Sequence, residues 1–89
     1  MQQQIRRFIL SSFLFTDDES KLQDQASLLE QGIMDSTGVL ELVAFLESEF
    51  GIKVADEELV PENLDSVDRI ASFVQAKRAA LTAAAAQAV

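Results

Sequence analysis

Two serines follow an aspartate where the chain reads as a helix start, Ser36 in "GIMDSTGVLEL" and Ser66 in "NLDSVDRI". A serine there can do one of two things. Its side-chain oxygen can cap the helix by accepting a bond from a free backbone amide. Alternatively, its hydroxyl can stay exposed and carry an ester. A phosphate ester on Ser36 would sit beside unpaired amides at the positive end of the helix dipole, a favourable place to hold a phosphodiester. Spacing alone leaves both uses of Ser36 open. Asp35, read from the residues alone, is a cap or a simple loop charge.

Composition removes most other chemistry. The chain has no cysteine, histidine, tryptophan or tyrosine. It therefore lacks the commonest general base, the commonest transition-metal ligand and any thiolate site or disulfide. A self-sufficient hydrolase or a zinc enzyme is not expected. The acids do not make a calcium sensor either, since no loop has the alternating carboxylates, central glycine and final glutamate of an EF-hand.

Length and composition fit one helical domain. The 89 residues allow a single modest core, and three glycines and one proline are too little turn punctuation for a sandwich or barrel. Ile5, Phe8, Ile9 and Phe13 fall at helical spacing and predict a first amphipathic helix from roughly Gln2 to Phe15. A long connection follows, with Leu22, Leu28, Leu29 and Ile33 as apolar anchors. Within it, "SLLE" places Ser27 and Glu30 at capping-box spacing, and Gly32 can end a single turn. The second helix is expected over Ser36 to Phe50, stopped by Gly51, with Val39, Leu40, Val43, Leu46 and Phe50 as its core stripe, widened by Leu42. Thr37, Glu41, Ala44 and Ser48 face the other way, and Phe45 lies at the margin. "ADEELVPENLDS" predicts a short third helix that Asp56 could cap. A fourth helix starts at Asp65 or Ser66, with Val67, Ile70, Ala71 and Val74 on its apolar face and Leu81 in the same phase. The fold class is all-α, a small bundle of three main helices and a short one. Residues 1–80 form the domain, and 81–89 an alanine-rich tail that extends the helix or frays.

Charge leaves two readings open, a solubilising surface or a face that attracts protein partners. All fifteen acids lie between Asp17 and Asp68, opposed there only by Lys21 and Lys53, so this segment carries −13 while the ends carry +5. Such a segment repels nucleic acid and anionic membrane and speeds encounter with basic protein surfaces. No segment is long enough to span a bilayer. "RRFIL" loosely resembles a twin-arginine signal, but Ser11 and Ser12 break the apolar stretch and "TDDES" follows without a small-residue cleavage site. A cytoplasmic monomer is expected.

The stretch from Ser27 to Val74 resembles an acyl carrier protein. The resemblance is carried by "DS" at the start of the second helix, "LVAFLESEFGIKV" through its end, and "NLDSVDRIASFV" opening the last. It implies that Ser36 carries 4′-phosphopantetheine, transferred from coenzyme A by a phosphopantetheinyl transferase, with Asp35 helping that enzyme place a magnesium ion. The thiol of the arm would hold cargo as a thioester, which gives a cysteine-free chain a part in thiol chemistry without making it an enzyme. The resemblance further implies docking through the second helix, at Thr37, Glu41, Ala44 and Glu47. The implied partners are an acyl- or aminoacyl-loading ligase and downstream transferases of lipid or secondary-metabolite biosynthesis. Fatty-acid-synthesis carriers typically read "GADSLD", whereas this chain reads "GIMDSTG", with Thr37 and Gly38 after the serine. That pattern is closer to stand-alone carriers such as D-alanyl carrier proteins and to carriers served by a separate adenylating ligase. The alternative is a small acidic helical adaptor that never receives a prosthetic group.

Self-repulsion within the −13 segment should be large at low ionic strength and screened by salt. The melting temperature should therefore rise between very low and physiological salt. A flat or falling curve would mean that the acids are well paired.

Overall fold

The computed structural model describes residues 2–87, with side chains described to residue 81. Helix α1 runs Gln2–Ile9 and continues as a π turn, Leu10–Leu14. Helix α2 is Ser36–Phe50, α3 is the single turn Pro61–Leu64, and α4 is Val67–Gln87. Short 3-10 turns occupy Glu19–Lys21 and Asp56–Glu58, and the described residues contain no strand. The all-α bundle is thus observed.

The core is one cluster to which every helix contributes. Ile5 and Ile9 of α1, Leu42 and Leu46 of α2, and Val67, Ile70 and Val74 of α4 are fully buried, with Leu64 of α3 nearly so. Each such side chain stabilises by roughly 1.5–3 kcal/mol relative to exposure. Helices α1 and α2 meet through rings. Phe8 stacks on Phe45 with centroids 4.2 Å apart, and Phe13 and Phe50 pack edge-on to that pair at 5.7 and 6.0 Å. Offset-stacked and edge-on arrangements are the favourable ones for aromatic quadrupoles.

The long connection before α2 is pinned at both ends. Arg6 of α1 ion-pairs with Asp24 and with Glu19, at 3.3 Å for the latter, and donates to the Glu19 carbonyl at 2.9 Å. Gln2 Nε2 donates to Asp24 Oδ2 at 3.0 Å and to Asp68 Oδ1 at 2.8 Å, bringing α4 into the same network. Leu22, Leu28 and Met34 are buried anchors. Closer to α2, Asp65 at the α3–α4 junction clasps the "SLLE" turn. Its Oδ2 accepts from the Ser27 hydroxyl at 2.6 Å, its Oδ1 from the Leu29 amide at 3.0 Å, and its carbonyl from the Leu28 amide at 2.7 Å. Ser27 Oγ also accepts from the Glu30 amide at 3.1 Å, and Gly32, with φ of 68°, closes the turn in a conformation that costs glycine nothing.

Four expectations need correction. Leu40 is 61% exposed and lies outside the α2 core stripe, which runs through Gly38, Leu42 and Leu46. Apolar residues on nearly all sides of α2 left its phase ambiguous, and a glycine does not register as a core residue. Leu29 is also exposed rather than an anchor, because the Asp65 clasp turns Leu28 inward instead. The third helix is divided, and Asp56 does not cap it. Glu58 Oε1 takes the Ala55 amide at 2.9 Å, and the α turn starts afresh at Pro61, which lacks the donor that a first-turn position leaves unpaired. Leu81 is 50% exposed, because α4 has by then run past the core; the helix extends through Gln87, and residues 88–89 of the tail lie outside the described residues.

Glu58 also pairs with Lys77 of α4 at 2.8 Å. The Lys77 ammonium, and secondarily the Ala55 amide, hold the Glu58 carboxyl below the ordinary glutamate pKa. This contribution is present above the ordinary carboxylate range and is lost as pH falls through the lowered value.

The clasp gives a graded stability test. Asp65→Ala leaves the Ser27 hydroxyl and the Leu29 amide without their acceptor and should cost about 1–3 kcal/mol in urea unfolding. Ser27→Ala removes one clasp bond and the acceptor of the Glu30 amide, and should cost less because one bond to the Asp65 carboxylate is lost rather than two. Equal stability of Asp65→Ala and the parent would show that the clasp does not hold the loop.

Candidate functional site at the start of α2

Asp35, not Ser36, caps α2. Its backbone is extended, with φ −120° and ψ −172°, and its Oδ1 accepts from the Gly38 amide at 2.7 Å. The Val39 amide then closes the first i→i−4 bond onto the Asp35 carbonyl at 2.9 Å. Ser36 is consequently the first helical residue and its hydroxyl is released from capping. Ser36 is exposed, and no described protein group forms a hydrogen bond with that hydroxyl. The Ser36 and Thr37 amides precede the first intrahelical bond, at the positive end of the helix.

Ser66 has the opposite fate. It is 4% exposed, and its Oγ accepts from the Arg69 amide at 3.1 Å. Both "DS" pairs open a helix, but in the first the aspartate caps and the serine faces out, while in the second the serine caps and the aspartate clasps the loop.

The remaining residues expected at the site divide. Thr37, Glu41 and Ala44 are exposed and continue the Ser36 face along the helix, where Leu40 joins them. Glu47 is half-buried, and its Oε2 accepts from the Val54 amide at 2.9 Å. Gly38, two residues past Ser36, is buried; a Cβ built there would lie 3.0 Å from a Phe13 ring carbon and 3.2 Å from Met34 Cγ. Its place is therefore internal packing rather than an approach path for a partner. Sequence reasoning missed Phe13 and Met34 here, although a glycine inside a first helical turn does signal close approach by another group. Behind this turn an apolar cavity of about 60 Å³ lies among Leu29, Met34, Val39, Leu59, Val60 and Leu64.

The site suits a prosthetic group joined through a phosphodiester. It offers an unencumbered primary hydroxyl, first-turn amides and an exposed carboxylate whose Oδ2 makes no bond to described protein groups. The described residues contain no group of three or more histidine, cysteine or acidic side chains placed to hold a metal, and no helix long and apolar enough to cross a membrane.

Comparison with known proteins agrees with this geometry. Residues 7–74 match the family model described as phosphopantetheine attachment site. The chain is 37% identical over 62 residues to the D-alanyl carrier proteins of Streptococcus pyogenes serotype M5 (strain Manfredo), serotype M49 (strain NZ131) and serotype M1, an overlap that covers 70% of this chain and 77% of each relative. An all-α bundle, an unencumbered serine at a helix start and this agreement over most of the chain make it a member of the phosphopantetheine-binding carrier protein family, D-alanyl-carrier-like, a non-catalytic protein whose prosthetic group is 4′-phosphopantetheine.

Proposed function

We propose that Ser36 is the attachment residue and that the chain carries a small acyl or aminoacyl cargo between a loading ligase and a downstream transferase. The observation that carries this reading is the division of labour between Asp35 and Ser36. With the cap supplied by Asp35, the Ser36 hydroxyl can become an ester without costing the helix its start. When bound, the prosthetic group supplies a thiol at the end of a long arm, where cargo is held as a thioester. The chain itself contributes an exposed nucleophilic oxygen, a dipole that favours the phosphodiester, and the Asp35 carboxylate. That carboxylate keeps its cap through Oδ1 and has Oδ2 to offer a magnesium ion in the transferase complex.

Two observations favour a small cargo. The relatives named above are D-alanyl carriers, and the "DSTG" of this chain resembles stand-alone carriers more than the "GADSLD" of fatty-acid-synthesis carriers. The cavity beside α2, about 60 Å³, is small and open to solvent, so this arrangement holds no preformed enclosed tunnel there for a long alkyl chain. An aminoacyl or short acyl group would instead ride outside the bundle.

Docking in this reading uses the exposed face of α2, formed by Ser36, Thr37, Leu40, Glu41 and Ala44, with Glu47 at its edge. Acids there raise the association rate with a basic partner more than they raise affinity. The net charge of −8 also keeps copies apart, in keeping with a monomer.

Coexpression with a phosphopantetheinyl transferase tests the attachment site. Ser36→Ala should abolish the mass increase, while Ser66→Ala, which loses a cap worth about 0.5–2 kcal/mol, should still be modified. Full modification of Ser36→Ala would sink the reading.

Glu41→Lys should slow phosphopantetheine transfer at low carrier concentration, with the difference shrinking as salt rises. Glu47→Lys should in addition lower stability, because it removes the acceptor of the Val54 amide. Equal transfer rates for Glu41→Lys and the parent at low salt would place docking elsewhere.

A further inference from the structure

Gly38 is a meeting point. Its amide holds the Asp35 cap, and a Cβ built on it would lie against a Phe13 ring carbon and the buried Met34 side chain. Phe13 reaches this position by way of the π turn. In that turn the Phe15 amide bonds the Leu10 carbonyl, and the Thr16 amide bonds the same oxygen at 3.1 Å. The widened turn ends with Phe15 at φ 54°, an uncommon conformation for a non-glycine residue. π turns inside α-helices are rare and frequent at functional sites. Here the turn sets Phe13 against the first turn of the neighbouring helix. The ring is also packed edge-on with Phe8, which is stacked on Phe45 of α2.

From this we infer that Phe13, aimed by the π turn, and Met34 are positioning residues for phosphopantetheine transfer: seated on Gly38, they fix the rotation of the first turn of α2 and hence the direction in which Ser36 Oγ faces. The inference rests on Ser36 being the attachment residue. It assigns Gly38 a role that its helix propensity opposes. Alanine would favour the helix, but its Cβ would meet Phe13 and Met34 at 3.0 and 3.2 Å, so each neighbour must give by a few tenths of an ångström. The gain in propensity, about 1 kcal/mol, works against the cost of this crowding, whose size depends on how far Phe13 and Met34 give, while the serine is re-aimed. Reaction rates are far more sensitive to such misplacement than stability is.

The test uses the full chain, a phosphopantetheinyl transferase and coenzyme A, with kcat and KM for the carrier measured separately and the modified peptide identified by mass spectrometry. Gly38→Ala should melt close to the parent and lower kcat about three- to tenfold, with KM within about twofold because the docking face is intact. Phe13→Leu combined with Gly38→Ala should recover most of the lost kcat, since leucine makes room for the new methyl. Phe13→Leu alone keeps the test open should Gly38→Ala fail to fold: it should lower kcat and shift the Ser36 and Thr37 amide resonances more than those of α4. If the parent is modified at Ser36 but Gly38→Ala and Phe13→Leu react at the parental rate, the inference is overturned. It is equally overturned if the double variant is no faster than Gly38→Ala, or if the lost rate merely tracks the unfolded fraction. Modification of the parent at another residue would instead remove the functional reading on which it rests.

Discussion

The 2.7 Å bond from the Gly38 amide to Asp35 Oδ1 is the contact on which the site depends. A helix start leaves backbone donors unpaired, and some side chain or solvent must meet them. Had Ser36 supplied the acceptor, its hydroxyl would be held against the backbone and chemistry there would compete with the fold. Because Asp35 supplies it, the hydroxyl faces out, the helix begins with the reactive residue, and modification leaves the cap in place. Ser66 shows the other solution in the same chain, a serine that caps and is buried.

For the cap to be useful, the loop must deliver Asp35 to a fixed place. Arg6 and Gln2 tie the early loop to α1 and α4, and Asp65 clasps the turn from Ser27 to Gly32. Leu28 then organises the last step, its carbonyl accepting the Ile33 amide at 3.0 Å and the Met34 amide at 3.2 Å. Several acids in the strongly negative segment are therefore structural. Asp24, Asp65, Glu47 and Glu58 each hold a loop or a helix end through their carboxylates, while Glu41 remains exposed on the α2 face.

What the sequence revealed and what it hid follow the range of the interactions. The bounds of α2 were legible because an aspartate–serine pair opens it and Gly51, in the left-handed conformation, closes it. The buried face of α4 was legible from the spacing of Val67, Ile70, Ala71 and Val74. The rotation of α2 was not, because apolar residues lie on nearly all its sides and the stripe includes Gly38, whose contact with Phe13 is remote in sequence. Asp65 looked like a helix start and proved to be a clasp, since its partner Ser27 is 38 residues away. Which member of "DS" caps was likewise invisible, as either residue type serves and tertiary contacts decide.

The most direct measurement is peptide-resolved mass spectrometry of the unaltered protein after coexpression with a phosphopantetheinyl transferase, with fragmentation that locates the added group. The account predicts a single modified residue, Ser36, with the peptide containing Ser66 unmodified. A group located on Ser66 or any other residue, or an unmodified protein in the presence of an active transferase, would contradict it.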